Sequence, residues 1–376
     1  MRVAINGLFW DQPATGSGQY LRGLIEGLAG MDEVEPLLVT AGPPAAPLPA
    51  GVEVRPSSRA GGNLAKLWFE QAAFPRASRR EEADVVHVPY FAPPLCSGAP
   101  VVVTIHDLIP RVLPAYRGGA HVRAYMALAS AAARRAALVV TDSEASARDV
   151  ERVLGIPRER IRVVYLAAGN AYQPRPQDEL VALRRRLGLP ERYLLYLGGF
   201  DRRKRVPELL QALKLSLARL EPISLVVAGG LPAMDSAFAP DPRRVAQELD
   251  LGDHVRFVGY VEEADKPALY AGAEVFVFPS IYEGFGLPPL EALSCGTPVI
   301  AAQSSSLPEV VGEAGLLVEP DDIKGLAEAI CAVMGDSDLS DRLAARAIDQ
   351  AAQFSWQRTA AETVAAYREA AARGRQ

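Results

Sequence analysis

The sequence predicts an α/β protein made of two doubly wound parallel-sheet domains, and three observations carry that prediction. Short apolar runs alternate with helical patterns along the chain, which is the rhythm of a parallel sheet covered by helices. The rhythm stops at the proline-bearing stretch 171–176 and starts again at residue 193. At 376 residues the chain is also too long for one ordinary hydrophobic core. We therefore predict an N-terminal domain at residues 1–170 and a C-terminal domain at residues 171–355.

The predicted strands are short apolar runs, each ended by loop residues or by a helical pattern. In the N-terminal domain they lie at residues 3–5, 36–40, 52–55, 85–88, 101–105 and 138–141, and a run at 163–165 closes the domain. In the C-terminal domain they lie at residues 193–197, 225–228, 255–258, 275–278, 299–302 and 316–318.

The predicted helices fill the intervals between these strands. They include residues 19–28 and 116–137, helices that end near residues 187 and 217, a helix opened by the prolines at 288–289, and residues 359–373. The last of these is rich in alanine and has no strand after it, so it must pack on an existing surface. We group residues 356–376 with the N-terminal domain, onto which this helix would cross back.

Composition narrows the class of protein. The net charge of −5 and the pI of about 5.6 argue against broad nucleic-acid binding. The three cysteines, Cys96, Cys295 and Cys331, are widely spaced and form no metal or disulfide pattern, which is typical of a reducing compartment. The first residues enter a strand without a signal pattern, and no apolar run reaches the length of a membrane span. We expect a cytoplasmic protein without a metal site.

Two positions in the N-terminal domain are candidate ligand contacts. Gly16 and Gly18 follow the first strand, but their spacing fits a dinucleotide fingerprint poorly. Flexible glycines near a ligand and an ordinary surface loop are equally good readings of them. His106 stands where the strand at 101–105 ends, and there it can bind a sugar hydroxyl or a phosphate while Asp107 fixes its tautomer.

A basic face runs along the predicted helix 116–137. Its members are Arg117, His121, Arg123, Arg134 and Arg135. Such a face can touch an anionic lipid or a lipid-linked acceptor. A merely solvated face is the more common case at this charge density, and peripheral membrane contact stays open as the alternative.

The stretch 275–291 is the most informative part of the chain. A buried strand is followed by the loop Glu283-Gly284-Phe285-Gly286, and Pro288 and Pro289 then open a helix that holds Glu291 in its first turn. A helix N-terminus attracts phosphate, and open α/β sheets bind ligands at the carboxyl ends of their strands. Two glutamates in that setting favour a ligand site over two unrelated solvated carboxylates.

A second candidate site loop follows the strand at 193–197. Two glycines are succeeded by four basic residues, Arg202, Arg203, Lys204 and Arg205. Cations are unfavourable near a helix N-terminus unless an anion compensates for them, so the pattern predicts a diphosphate clamp.

These residues together resemble family 4 of the glycosyltransferases. The pair Glu283-x₇-Glu291 matches that family's paired-glutamate motif, and the similarity extends over residues 279–301, 306–312 and 315–320. Residues 104–110 resemble the bacterial mannosyltransferases that build O-antigen and related polysaccharides, and residues 141–143 and 354–356 fit as well. The resemblance implies the GT-B fold, in which two Rossmann-like domains face a cleft, with the acceptor on the N-terminal domain and the nucleotide sugar on the C-terminal one.

The resemblance also implies roles for named residues. Glu283 would face the hydroxyls of the donor sugar, Glu291 would bind the nucleotide ribose, Lys204 would bind the diphosphate, and His106 would reach the sugar from the other domain. Further contacts implied for the nucleotide sugar are the backbone around Gly284, Phe285, Gly286 and Leu287, and the segment Tyr260-Val261 for the base.

One departure from the family pattern concerns the clamp. Many members carry an arginine after the first glycine of the loop, where this chain has Gly199. Arg202 or Arg203 would then replace it, and the sequence leaves both open.

By this resemblance the chain is expected to be a retaining hexosyltransferase. Its co-substrate would be GDP-mannose or a UDP-sugar, with mannose favoured, and its acceptor a glycan or a lipid-linked saccharide. We expect no other cofactor and no metal, because no Asp-x-Asp pair stands in a suitable loop. A nucleotide-sugar 2-epimerase of the same architecture and a catalytically silent glycan-binding subunit stay open as alternatives. The oligomeric state is also open.

Overall fold

The computed structural model describes residues 1–57, 62–220 and 223–374. The chain forms two compact units. The N unit comprises Met1–Ala167 and Ser355–Gln376, and the C unit comprises Ala168–Phe354. The N unit therefore ends at Ala167, three residues before the predicted domain end at residue 170, and the C-terminal helix belongs to the N unit.

The N unit contains a seven-stranded, fully parallel sheet. Its strands are β1 (Arg2–Asn6), β2 (Glu35–Thr40), β3 (Glu53–Pro56), β4 (Val85–Val88), β5 (Val101–Thr104), β6 (Leu138–Thr141) and β7 (Ile161–Val163). Their order in the sheet is β3-β2-β1-β4-β5-β6-β7. Its helices are α1 (Gly16–Leu28), α2 (Gly62–Trp68), α3 (Phe74–Arg80), α4 (Ile109–Val112), α5 (Ala120–Ala133) and α6 (Glu144–Asp149), followed by the C-terminal helix Trp356–Arg373. Two π-helical segments, Phe69–Ala73 and Val150–Leu154, continue α2 and α6.

The C unit contains a six-stranded parallel sheet. Its strands are β8 (Tyr193–Leu197), β9 (Ser224–Ala228), β10 (Val255–Gly259), β11 (Val275–Phe278), β12 (Val299–Ala302) and β13 (Gly315–Val318). Their order is β10-β9-β8-β11-β12-β13. Its helices are α7 (Gln177–Leu187), α8 (Val206–Leu217), α9 (Pro242–Glu248), α10 (Lys266–Ala271), α11 (Leu287–Ser294), α12 (Leu307–Val311), α13 (Ile323–Gly335) and α14 (Ser337–Ala351).

Both sheets are doubly wound, which confirms the predicted fold class. The strand order reverses between β1 and β4 in the N unit and between β8 and β11 in the C unit. At such a switch point the loops after two neighbouring strands diverge to opposite faces and leave a crevice for a ligand. The apolar strand interiors, such as Val85–Val88 and Val275–Phe278, are fully buried, as expected for strands covered on both faces.

Two helix boundaries differ from the sequence prediction. Helix α1 begins at Gly16 and not at residue 19, because Thr15 is its N-cap and accepts a hydrogen bond from the N–H of Gly18 (3.1 Å). Gly16 and Gly18 are therefore helical, and the prediction that they form a flexible loop is wrong. Helix α5 spans Ala120–Ala133, shorter than the predicted 116–137, since Gly119 before it is extended.

The C-terminal helix is held on the N unit by close packing, by neutral hydrogen bonds and by a bidentate ion pair of Glu369 with Arg162 of β7 (2.9 and 2.6 Å). A Cβ placed on Gly23 of α1 would lie 2.2 Å from the indole of Trp356, so only a glycine admits that ring. Deeper in the unit, the two ring nitrogens of His87 lie 2.7 Å from the Tyr367 hydroxyl and 2.9 Å from the Thr104 hydroxyl. Burial lowers the pKa of His87 to about 3, so this ring is neutral.

The contact between Gly23 and Trp356 gives a stability prediction. Alanine is favoured over glycine inside a helix by about 0.5–1 kcal/mol. At Gly23 the collision with Trp356 should outweigh that gain, because overpacking costs about 1–3 kcal/mol. Gly23→Ala should therefore destabilise the N unit, whereas Gly16→Ala, which meets no atom within 4 Å, should not.

Urea unfolding followed by tryptophan fluorescence measures this effect in the N unit alone, because all three tryptophans, Trp10, Trp68 and Trp356, lie there. Equal unfolding midpoints for Gly23→Ala and Gly16→Ala would contradict the packing argument.

Candidate functional site

The switch point of the C unit brings together the loops that follow β8 and β11. The backbone N–H of Ile281 donates to the carbonyl of Arg203 (2.9 Å), and the Arg203 guanidinium donates to the carbonyl of Tyr282 (2.8 Å). The two loops that the sequence singled out separately therefore form one surface at the carboxyl edge of the sheet.

The carboxylate of Glu283 is the centre of this surface. Its Oε1 accepts from the Lys204 ammonium (2.6 Å) and the Ser280 hydroxyl (2.6 Å), and it lies 2.7 Å from Nη1 of Arg203. None of these contacts is to Oε2. Burial alone would raise the pKa of Glu283, but the charges of Lys204 and Arg203 hold it below its ordinary value. Glu283 is therefore ionised, and Oε2 is its remaining acceptor.

Lys204 is almost completely buried, at 8% exposure. Its ammonium lies 4.7 Å from the centroid of the Phe278 ring, in addition to its contact with Glu283. Burial lowers the pKa of Lys204, while Glu283 opposes that shift. Arg203 in turn lies 3.2 Å from Asp201, so the cluster of two cations and two carboxylates is balanced in charge.

The four basic residues of the predicted clamp do not act as one group. Arg203 and Lys204 converge on Glu283, but Arg202 is exposed and Arg205 pairs with Glu208 and Asp321. They diverge because Arg202–Lys204 forms a single 3₁₀ turn, in which successive side chains point about 120° apart. The prediction that Arg202 joins the clamp is not supported by this geometry.

Three consecutive serines hold the loop that carries Glu283. The hydroxyl of Ser304 donates to the carbonyl of Ile281 (2.6 Å), that of Ser305 to the carbonyl of Glu283 (2.6 Å), and that of Ser306 to the carbonyl of Phe285 (2.5 Å). These serines were not predicted from the sequence as site residues. Their position after β12 was the available signal, since polar residues at carboxyl strand ends lie at the ligand edge.

Helix α11 begins beside this loop with Gly286 as its N-cap. Gly286 has a φ of +118°, which favours glycine, and no side chain caps the helix. Because Pro288 and Pro289 have no N–H group, Gly286 and Leu287 carry the backbone donors of this helix start. Gly284 and Phe285 complete the turn between Glu283 and the helix.

Glu291 lies in the second turn of α11 and not in the first, because the helix starts at Leu287. Its carboxylate is buried and accepts from the Tyr270 hydroxyl (2.9 Å). Burial raises the pKa of Glu291 to about 7. The two glutamates thus differ in state, since Glu283 is firmly ionised and Glu291 titrates near neutral pH.

The predicted base segment follows β10, the edge strand of the C sheet. Tyr260 is 63% exposed, whereas Val261 is buried against the core. An aromatic ring left open at a carboxyl strand end is available for stacking on a planar ligand.

His106 occupies the carboxyl edge of the N sheet. Its Nδ1–H donates to Asp142 (2.6 Å), and its Nε2–H donates to the carbonyl of Pro89 (3.1 Å). The predicted orienting role of Asp107 is wrong, because its carboxylate accepts instead from the backbone N–H of Ile109 (2.9 Å). Burial would lower the pKa of His106, but Asp142 reverses the shift, and the pKa is raised. Both partners are acceptors, which fits a protonated ring.

Within residues 1–57, 62–220 and 223–374, no group of three or more His, Cys, Asp or Glu side chains has the arrangement of a metal site. Over the same ranges, no helix combines the length and the apolar character that crossing a membrane requires.

Comparison with known proteins gives matches over both units. Residues 182–350 match the family described as Glycosyl transferases group 1, and residues 14–167 match Glycosyltransferase Family 4. O-antigen chain mannosyltransferase B of Escherichia coli is 32% identical over 373 residues, which cover 95% of this chain and 96% of that protein.

Two solved structures share the architecture over nearly their whole length. Sucrose-phosphate synthase from Thermosynechococcus elongatus has a TM-score of 0.75 and 24% identity, and 98% of each chain is covered. HepE from Anabaena, in complex with UDP and glucose, has a TM-score of 0.73 and 22% identity, with 97% of this chain and 99% of that chain covered. At these identities the likeness is one of fold.

The hydrogen bond between His106 and Asp142 can be tested by titration. Asp142→Asn should lower the pKa of His106 markedly, because it removes the adjacent negative charge while the burial stays. Asp107→Asn should lower it less, since Asp107 acts on His106 only through its charge. NMR titration of the ring protons, assigned with His106→Gln, measures both shifts. A larger shift in Asp107→Asn would restore the original prediction.

Proposed function

We propose that this chain, which belongs to family 4 of the glycosyltransferases and has the GT-B fold, is a retaining, metal-independent hexosyltransferase of the cytoplasm. It transfers a hexose, mannose in the first place, from a nucleotide diphosphate sugar to a glycan or lipid-linked acceptor. Mannose is supported by the 32% identity to O-antigen chain mannosyltransferase B over 95% of the chain. A nucleotide sugar is supported by the UDP and glucose bound in HepE.

The observation that carries this proposal is the arrangement around Glu283. Lys204, which is buried, and Arg203, which is half-buried, are both held by Glu283 at the switch point, and α11 begins at Leu287, four residues after Glu283. The leaving group of the reaction is a diphosphate, which gains negative charge as the anomeric C–O bond breaks. Cations and backbone donors that are already positioned stabilise that charge without reorganisation and without a metal.

The ionisation state of Glu283 restricts its role. Because Lys204 and Arg203 hold its pKa low, Glu283 has no proton to give and serves as a hydrogen-bond acceptor. Its Oε1 is already bound to three donors, which leaves Oε2 for a hydroxyl of the donor sugar. In the same-face reaction proposed for this family, the departing phosphate accepts the proton of the acceptor hydroxyl, so no further base is required.

Arg203 takes the place of the arginine that the family pattern puts at Gly199. Its guanidinium lies within 2.7 Å of the carboxylate that also binds Lys204, whereas the side chain of Arg202 is exposed. Lys204 has three N–H donors, of which Glu283 accepts one, and the guanidinium fork of Arg203 has the geometry that matches phosphate oxygens.

The remaining contacts are assigned to the ribose, the sugar and phosphate oxygens, and the base of the donor. Glu291 binds the ribose hydroxyls, the N–H groups of Gly286 and Leu287 bind sugar and phosphate oxygens, and Tyr260 stacks on the base. Because the pKa of Glu291 is about 7, its ionised form, which accepts through both oxygens, becomes dominant only above that pH. His106 acts on the donor sugar with its protonated ring fixed by Asp142.

Release of nucleotide tests the proposed activity. The purified protein is mixed with GDP-mannose or UDP-glucose, with and without a mannose-terminated oligosaccharide, in excess EDTA. We expect nucleotide release that depends on the acceptor and survives the chelator. Loss of activity in EDTA with rescue by Mg²⁺ or Mn²⁺ would refute metal independence, and release from neither donor under any condition would refute the transferase.

The clamp assignment predicts different effects for adjacent residues. Lys204→Ala and Arg203→Ala should each weaken the binding of the nucleoside diphosphate by about ten- to a hundredfold, since a hydrogen bond to a charged group contributes roughly 1.5–3 kcal/mol. Arg202→Ala, which makes the same charge change at an exposed side chain, should have little effect. Calorimetric titration measures all three affinities. Wild-type affinity in Arg203→Ala, with a loss in Arg202→Ala, would reverse the assignment.

The two glutamates are expected to affect different kinetic constants. Glu283→Gln should chiefly lower kcat, because contacts with the reacting sugar strengthen as the ring gains charge in the transition state. Glu291→Gln should chiefly raise the donor KM, because the ribose does not change during the reaction. Each effect should be about ten- to a hundredfold. Steady-state kinetics of the two folded variants tests this assignment. The opposite pattern would mean that Glu283 binds the ribose and Glu291 the donor sugar.

A further inference from the structure

A cavity of about 300 Å³ in the N unit has no role in the proposed donor site. It lies where the chain passes from α4 through a short turn into α5. Its lining, here called the arginine pocket, combines three guanidinium groups with apolar side chains: Pro110, Arg111, Arg117, Arg123, Met126 and Val153.

The positive charge of the arginine pocket is not neutralised by the protein. Among the described residues no ion pair involves Arg111, Arg117 or Arg123, and the only hydrogen bond of these three guanidinium groups runs from Arg123 to the carbonyl of Gly118 (3.1 Å). Two neighbouring carboxylates are engaged elsewhere. Asp107 accepts from the backbone of Ile109, and Asp149 pairs with Arg152.

The start of helix α5 adds to this imbalance. Its first turn contains no acidic residue, and its N-cap Gly119 offers no side-chain oxygen. Cations near a helix N-terminus are unfavourable, and like charges around one cavity repel each other. Arg111, Arg117 and Arg123 are exposed, so water screens part of this repulsion, and a bound anion would add direct charged hydrogen bonds that water does not replace.

We propose that the arginine pocket binds a phosphoryl group of the acceptor. Guanidinium forks match the oxygens of a phosphate, and they are the favoured donors for that group in proteins. Met126, Val153 and Pro110 provide an apolar wall for the carbon chain or sugar face to which the phosphate is attached. The assignment to the acceptor rests on the proposed function, but the phosphoryl site itself does not.

The position of the pocket in the chain supports the link to the acceptor. Arg111 follows His106 by five residues, in the segment that leaves the carboxyl end of β5. The site is concave, which suits one compact group better than the plane of a lipid surface. Its three cations give it the charge of a phosphate site, whereas a neutral oligosaccharide would not require them.

Binding of simple phosphate esters tests the pocket without any turnover. The full chain is titrated calorimetrically with methyl phosphate and with farnesyl phosphate below its critical micelle concentration. At a site distinct from the donor clamp, we expect an affinity that falls with added salt and a loss of about tenfold or more in each of Arg111→Gln, Arg117→Gln and Arg123→Gln. Arg148→Gln makes the same charge change at an exposed residue outside the pocket and should bind as the wild type does.

Two further controls distinguish this site from the donor clamp and from binding to a membrane surface. Lys204→Ala should keep its phosphate-ester affinity, because the donor clamp lies in the C unit. Vesicles of phosphatidylglycerol test a membrane surface. Binding to these vesicles without binding of either soluble ester would overturn the proposal, as would equal losses in Arg148→Gln and the pocket variants, or a loss in Lys204→Ala alone.

The two esters distinguish the sources of the phosphoryl group. Tighter binding of farnesyl phosphate assigns it to a lipid-linked saccharide, and equal binding of both esters assigns it to a phosphorylated glycan; either result supports the pocket. Failure of the pocket would leave acceptor-dependent nucleotide release intact with a neutral oligosaccharide. Failure of the transferase would leave phosphate-ester binding intact, so the two proposals fail separately.

Discussion

The shared carboxylate of Glu283 is the interaction on which the C unit's functional surface depends. Lys204 and Arg203 come from the loop after β8, and Glu283 and Ser280 come from the loop after β11. Burying any of these charges alone would be strongly unfavourable, and removing one partner of a buried pair typically costs about 3–5 kcal/mol. Each loop therefore supplies the charges that compensate those of the other. The two loops are in contact because β8 and β11 are neighbouring strands at the switch point.

The charges of this cluster balance one another within the protein. Asp201 and Glu283 together compensate Arg203 and Lys204, so the two cations are fixed without a bound anion. An anionic ligand then adds contacts to groups that are already in position, and little side-chain entropy is lost. The serine segment that follows β12 makes this arrangement rigid, because Ser304, Ser305 and Ser306 bind the carbonyls of the very loop that carries Glu283.

The fold and most of the ligand edge could be predicted from the sequence, because both depend on local pattern. Apolar runs mark buried strands, and in a doubly wound sheet the residues after such runs lie at one edge. What a side chain contacts across the sheet could not be predicted. His106 was expected to meet its chain neighbour Asp107, but successive residues of an extended segment point to opposite sides. Its real partner is Asp142, because β5 pairs with β6 in a register that sets Thr104 beside Val140 and, two residues on, His106 beside Asp142.

The contacts of the basic residues after β8 and of the C-terminal helix could not be predicted either. Four adjacent cations suggest one clamp, yet the 3₁₀ turn directs Arg202 to solvent, and Arg205 after it pairs with Glu208. The composition of the loop does not predict that geometry. The C-terminal helix shows the converse case in its interior contacts, although Glu369 also pairs with Arg162 of β7. Trp356 packs where α1 has a glycine, and His87 is held neutral between hydroxyl groups, so these interior contacts depend on shape and on uncharged hydrogen bonds. At the switch point of the C unit, by contrast, the chain keeps Arg203, Lys204 and Glu283 at the carboxyl edge of its sheet, where a ligand can add hydrogen bonds to them.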